Sequence, residues 1–303
     1  MFLFAGFIAT DVVRGEVSAG DETSGAKRPT LSQFQAVILG FVEGMTEYLP
    51  VSSTGHLLIV MHLLGMGGDE VQKKAADSLA ICIQAGAILA VVVLYFSRIR
   101  QILAGMMGRD KDGLRLLINL IIAFLPAAVV GLRFKDLIKE HLFGVFPVSV
   151  ALFVGGVLIL QQAWTTKLPD ANTGKEMAEM SWGNSLFVGF MQCLALWPGF
   201  SRSLATILGC RWSGVRMSAA VEFSFLLGLV TLSAATGYEG LKHGKEMIAS
   251  YGFDMLAIAF ITAFIAAVVS VKFMVGALNK YGLFPFGYYR ILLAIACICW
   301  LTR

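Results

Sequence analysis

Apolar residues fill most of this chain in long blocks, and the places where a block is broken carry the information. From Gln35, two short apolar segments, 35–49 and 54–66, are separated by Pro50 and a polar cluster. Neither reaches the roughly 20 residues that a helix needs to cross a bilayer. The pair predicts a re-entrant helical hairpin, which membranes tolerate only where the irregular backbone is buried in protein or lines a cavity. Full-length spans are expected at about 78–96, 115–132 and 147–163, followed by a polar loop, 164–183. A second broken pair, 184–197 and about 203–210, is interrupted by Pro198-Gly199-Phe200-Ser201-Arg202, and three more spans follow at about 217–236, 255–275 and 287–302. Residues 1–34 open with the apolar run MFLFAGFIAT, which is too short to span and has no basic segment before it, and continue as a polar Gly/Ser stretch. They read as a poorly ordered extension ahead of a single membrane domain, 35–303.

The order is a repeat: broken pair and three spans at about 35–163, then broken pair and three spans at about 184–302. Its two copies resemble each other in sequence. ILGFVEGMTEYLPVSSTG parallels LFVGFMQCLALWPGFSRS: Gly40-Phe41 answers Gly189-Phe190, and Glu43 answers Gln192. After a one-residue slip, Pro50 answers Pro198, Ser53 answers Ser201 and Thr54 answers Arg202. AADSLAICIQAG at 75–86 loosely matches AAVEFSFLLG at 219–228. A hairpin plus three crossings is an odd number, so the second copy is expected to be inverted. Inverted repeats with interrupted segments in matching positions place a binding site where the two hairpins meet, near the midplane. The expected fold is therefore all-α and polytopic, with two inverted-topology repeats. Glu43, Glu47, Ser53 and His56 should face Ser201, Arg202 and Ser203.

Composition agrees with a membrane protein. Of 303 residues 57% are hydrophobic and 15% charged, against about 25% charged in soluble domains, and the mean hydropathy is +0.76. The net charge of +4 and the absence of a basic run with interleaved aromatics speak against nucleic acid. Arg98, Arg100, Arg109, Lys111 and Arg115 instead mark a cytoplasmic loop. Arg133, Lys135 and Lys139, on the other side, dilute that bias. The five cysteines lie in or beside apolar runs without zinc-ligand spacing, so neither a disulfide framework nor a zinc site is expected.

The chemistry concentrates in Glu43 to His56, EGMTEYLPVSSTGH. Ionisable groups within a membrane are costly and mark function. Glu43 and Glu47, four apart, share a helix face. Pro50 ends that helix, and Ser52 and Ser53 are candidate N-caps for a second helix from Thr54. Its amino end would point free N–H groups at whatever the glutamates hold. This is a pocket for a phosphate and a divalent cation, Mg²⁺ or Ca²⁺, which prefer oxygen ligands. Arg202 is the candidate clamp, because a guanidinium matches phosphate oxygens bidentately, and Ser52, Thr54, Ser201, Ser203 and Thr206 are candidate phosphate-binding hydroxyls. Ser203 and Thr206 would equally bond backbone within their helix, His62 reads as structural, and Trp197 and Trp212 read as packing or interface residues. Glu222, at or near membrane depth, has no assigned role.

These motifs resemble the undecaprenyl-diphosphate phosphatase, or bacitracin-resistance, family: EGMTEYLPVSSTGH matches its E-G-x-T-E-x-L-P-V-S-S-T-G-H signature, and PGFSRSLAT at 198–206 its P-G-x-S-R-S-x-x-T motif. The likeness runs through EFSFLL at 222–227 and into the segment Phe284 to Arg290. Leu204 and Cys210 stand where small glycines are common in the family, and Leu204 is expected to narrow the site. The resemblance implies a bacterial inner-membrane enzyme with interlocked inverted repeats, a site reached from the periplasm and a need for a divalent metal. It removes one phosphate from undecaprenyl diphosphate and so recycles the carrier lipid for peptidoglycan synthesis. It also puts Ser53 and His56 near the chemistry. Two mechanisms stay open. In one, Ser53 attacks phosphorus while His56 or a glutamate takes its proton; in the other, a metal-bound water attacks and Ser53 orients phosphate. A flippase or secondary transporter is the competing class, since inverted repeats and broken helices also build those. A phosphatidic-acid-phosphatase-like enzyme is not supported, because no Pro-Ser-Gly-His motif occurs. Whether the chain forms a homo-oligomer is not legible.

Overall fold

The computed structural model describes residues 31–66, 70–142, 144–165 and 173–301, so the expected extension 1–34 lies almost wholly outside the described residues. The described chain is all helix: α1 Gln33–Thr46, α2 Ser53–Leu63, α3 Glu70–Leu94, α4 Phe96–Met106, α5 Lys111–Arg133, α6 Lys135–Leu142, α7 Val145–Thr165, α8 Trp182–Cys193, α9 Arg202–Trp212, α10 Met217–Tyr251, α11 Phe253–Tyr281 and α12 Phe284–Leu301. A single isolated bridge, Lys175 to Val215, joins the loop before α8 to the turn after α9.

The two broken pairs are the hairpins α1–α2 and α8–α9. Both first helices start in the same way. Ser32 and Ser181 are N-caps whose side chains accept from the third helical N–H, and Gln35 and Asn184 reach back to the cap backbone. Among the described residues four helices are long and apolar enough to cross a bilayer: Lys111–Arg133, Val145–Trp164, Met217–Leu241 and Phe253–Leu278. The span expected at 78–96 is α3, which turns by 77° into α4. Neither Pro nor Gly sits at that break. The turn occurs at Tyr95, whose φ of −110° and ψ of 26° leave the helix, and Arg98 beyond it holds Glu222 of α10 at 2.7 Å. Glu222 thus anchors α4. The span expected at 287–302 is α12, an apolar helix of 18 residues, short for a bilayer.

Each hairpin packs on a long helix of the other half. Helix α1 lies along α11 and α3, α8 lies along α5, and α7 lies against α12. Small residues make these approaches possible, as they do between membrane helices generally. A Cβ on Gly40 or Gly44 of α1 would collide with the carbonyls of Ala259 and Ala263 on α11, and one on Gly189 of α8 would come within 2.7 Å of the Ala123 carbonyl on α5. Gly40 and Gly189, matched in sequence, therefore do the same job in the two halves. Behind the hairpin tips lies a core of Tyr48, Phe200, Phe225, Ile207 and Met274, all buried.

Candidate active site

Helix α1 carries Glu43 and Glu47 on one face and stops there, with Glu47 as its C-cap. Both carboxylates are buried, 2% and 8% exposed. The chain then turns back through a break that ends at Ser52, the N-cap of α2. The second hairpin does the same and ends at Ser201, the N-cap of α9. These two serines are the only non-glycine residues with positive φ among the described residues, at 73° and 79°, a conformation that L-residues hold only when their surroundings over-determine it. Each accepts from the N–H three residues on, Gly55 at 3.4 Å and Leu204 at 3.3 Å.

The caps correct the repeat register. Ser52 corresponds to Ser201 and Ser53 to Arg202, at the same spacing that separates Gly40 from Gly189 and Glu43 from Gln192. No slip is needed, and the two prolines are not equivalent. Accordingly α2 begins at Ser53, one residue before the expected Thr54.

The first helical residues of α2 and α9 meet at one carboxylate. Ser53 Oγ donates to Glu47 Oε2 at 2.5 Å, and Arg202 Nη2 donates to Glu47 Oε1 at 3.0 Å. Arg202 also donates to the Ser224 carbonyl at 2.9 Å and lies over the Tyr48 ring at 5.6 Å. Tyr48 is held in turn by its hydroxyl on the Ala87 carbonyl at 3.0 Å. Gly228 leaves room for the guanidinium, which a Cβ there would strike. Gln84 lines the same cavity as Glu43 and accepts from Thr236 at 3.0 Å. Sequence reasoning did not find Gln84, which only tertiary packing brings to the carboxylates, nor the part of Tyr48, which follows Glu47 in the chain and meets Arg202 only in the fold.

A cavity of about 90 Å³ opens at this meeting point, lined by Glu43, Glu47, Ser52, Ser53, Thr54, Gln84, Trp197, Ser201 and Arg202 among others. Three expected residues lie elsewhere. Ser203 donates to the Leu49 carbonyl at 2.9 Å and tethers α9 to the first break. Thr206 donates to the Arg202 carbonyl at 3.0 Å and lies 2.6 Å from Ser224 Oγ, joining α9 to α10. His56 turns from the carboxylates: one ring nitrogen meets the Ser52 carbonyl at 2.7 Å, the other the Tyr289 hydroxyl at 2.5 Å, and the two rings stack. Leu204, expected to narrow the site, is buried beside Gly155 and does not line the cavity.

The model of the bacitracin resistance protein BacA family matches residues 36–296 of this chain. The chain belongs to that family. Its relatives include an undecaprenyl-diphosphatase of Sorangium cellulosum, 45% identical over 88% of this chain and 86% of the relative. One of Maridesulfovibrio salexigens is 45% identical over 87% and 96%, and undecaprenyl-diphosphatase 1 of Stutzerimonas stutzeri is 41% identical over 85% and 90%. For a BacA-family chain the cavity lies where its two signature segments, 43–56 and 198–206, come together.

Proposed function

We propose that the protein hydrolyses undecaprenyl diphosphate to undecaprenyl phosphate and inorganic phosphate in the bacterial inner membrane. It thereby recycles the carrier lipid for peptidoglycan synthesis and confers bacitracin resistance, with the site open to the periplasm. The observation that carries this reading is Glu47, which holds a serine of one hairpin and an arginine of the other within one cavity. The exchange of packing partners between the halves supports inverted repeats as part of the same reading.

Ser53 Oγ attacks the terminal phosphorus and passes its proton to Glu47 Oε2 along the bond already in place. The phosphorus–oxygen bond to the bridging oxygen breaks, and undecaprenyl phosphate leaves with the electron pair. Water then attacks the phosphoserine, its hydroxyl going to phosphorus and its proton to the departing phosphate, while Glu47 returns its proton to Ser53. Arg202 holds phosphate oxygens and offsets their charge. Of the two candidate bases Glu47 is the one bonded to Ser53, whereas His56 with Tyr289 fixes the first turn of α2.

A divalent cation fits the donor set. Glu43 and Glu47 present carboxylates to the cavity beside the hydroxyls of Ser52, Ser53 and Thr54, all oxygen donors of the kind Mg²⁺ and Ca²⁺ take. No group of three His, Cys, Asp or Glu suited to a metal exists among the described residues, so the remaining ligands would be phosphate and water. Bound there, the ion would offset negative charge on the phosphoryl group.

The test is phosphate release from farnesyl or undecaprenyl diphosphate by the purified chain in detergent. Release is expected, suppressed by EDTA and restored by Mg²⁺ or Ca²⁺. In detergent no gradient exists, so a folded protein that releases nothing with any metal would be a transporter and not a phosphatase. Gly228→Ala supplies a companion prediction. The three atoms nearest the new methyl group all belong to the Arg202 guanidinium and none to the backbone, so the fold should survive, with a melting temperature lowered by the loss of the Arg202–Glu47 pair. Displacing the clamp should still slow release by about 10²-fold, the scale for one lost charge-stabilising donor.

A further inference from the structure

Two buried N–H donors have no partner among the described residues and belong to side chains of the cavity wall: Arg202 Nε and the indole Nε1 of Trp197. Both residues line the cavity. A buried donor without an acceptor costs about 1–3 kcal/mol, so such a group persists where a ligand or ordered water completes it. Arg202 has a role already, with its other nitrogens on Glu47 and Ser224. Trp197 has none, and its type and position read as packing in the sequence.

The backbone makes Trp197 rigid. It closes the short 3₁₀ turn Leu194–Leu196, its N–H donating to the Leu194 carbonyl at 3.1 Å. Its own carbonyl accepts from Phe200 N–H, also at 3.1 Å. One residue on, the Pro198-Gly199 bend begins, and Gly199, with φ of 95°, packs against Val148 so closely that no other residue fits. The indole is therefore presented from a turn fixed at both ends, and its polar edge is left over.

We propose that Trp197 is a substrate-binding residue whose indole N–H, together with Arg202 Nε, donates to a phosphate group of the diphosphate. This inference rests on the phosphatase reading above and adds a recognition element from the second hairpin. An indole N–H only donates, so its partner must be an acceptor, which the phosphate oxygens supply. The bond lies in the ground state as in the transition state, so its loss falls on KM more than on kcat.

The experiment compares wild type with Trp197→Phe, which keeps an aromatic ring in the turn and removes the donor. The substrate is farnesyl diphosphate, and inorganic pyrophosphate serves as the competing anion. A hydrogen bond to a charged acceptor corresponds to roughly a tenfold change. KM for farnesyl diphosphate and the inhibition constant for pyrophosphate should both rise about tenfold, with kcat within about twofold and the melting temperature unchanged. In ¹⁵N-labelled wild type, the indole N–H resonance that disappears in Trp197→Phe should shift when pyrophosphate is titrated in. Unchanged KM and inhibition constant in the variant, or an indole resonance indifferent to pyrophosphate, would overturn the proposal while leaving the phosphatase reading intact. A wild type that releases no phosphate from farnesyl diphosphate would instead remove the reading on which it stands.

Discussion

Glu47→Gln is expected to lower kcat for phosphate release by about 10²–10⁴-fold, the range for removal of a positioned general base. Glutamine keeps the shape, but with one acceptor oxygen it can keep only one of the bonds from Ser53 and Arg202, and it cannot take the Ser53 proton. Binding should suffer less, because Arg202 loses a competitor for its guanidinium as it loses its partner. The more telling result concerns the pair. If Ser53 is the nucleophile and Glu47 its base, the double variant Ser53→Ala/Glu47→Gln should be about as slow as the slower single variant, since residues that act as one unit are far from additive. If a metal-bound water attacks and Ser53 only orients phosphate, the two losses should multiply. Single-turnover rates of the three variants with farnesyl diphosphate, under saturating Mg²⁺, decide between these outcomes. A trapped phosphoserine in a variant that stalls before hydrolysis would confirm the first.

The hairpins were legible because breaks in an apolar chain have few causes. Pro50 and Pro198-Gly199 interrupt segments too short to span, and the serines that follow cap new helices. The carboxylate pair was legible from its i,i+4 spacing alone. Proline misled in the register, because it sits at different points of the two breaks. Neither point needs a backbone N–H, so position within the break is free, whereas the cap serines must align. The bend at Tyr95 left no mark that sequence reasoning could use: it has no Pro or Gly, and its tie, Arg98 to Glu222, joins residues 124 apart. His56 was placed opposite the second hairpin by the repeat and near the chemistry by resemblance, and the structure finds its ring on Tyr289, 233 residues away. The unpaired indole of Trp197 was likewise beyond any pattern, because a missing partner is visible only once its neighbours are in place.

Arg290 carries the largest expected effect on stability. It is fully buried, yet no carboxylate forms an ion pair with it among the described residues. Its guanidinium instead donates to five carbonyls: Pro50 of the first break, Gly199 and Phe200 of the second, and Ala151 and Leu152 of α7, at 2.8 to 3.3 Å. Gly155 of α7 leaves the space, since a Cβ there would collide with the guanidinium. One side chain thus satisfies carbonyls that both broken helices leave open, and it holds the two breaks at a fixed separation. Arg290→Ala would strand the carbonyls of Pro50, Gly199 and Phe200 around a void, whereas those of Ala151 and Leu152 keep their partners inside α7. At about 1–3 kcal/mol for each buried unsatisfied group, the loss is comparable with the ~5–15 kcal/mol by which folded proteins are usually stable. That variant should yield no monodisperse protein in detergent. Arg290→Lys keeps the charge but offers three donors on a point instead of five in a planar fork. It should fold with a clearly lower melting temperature, and phosphate release should fall further than stability alone explains, because Ser53 and Arg202 sit just beyond the two breaks. Size-exclusion profiles and thermal melts of both variants check this. An Arg290→Ala protein that elutes and melts like wild type would show that the breaks are held by their packing alone.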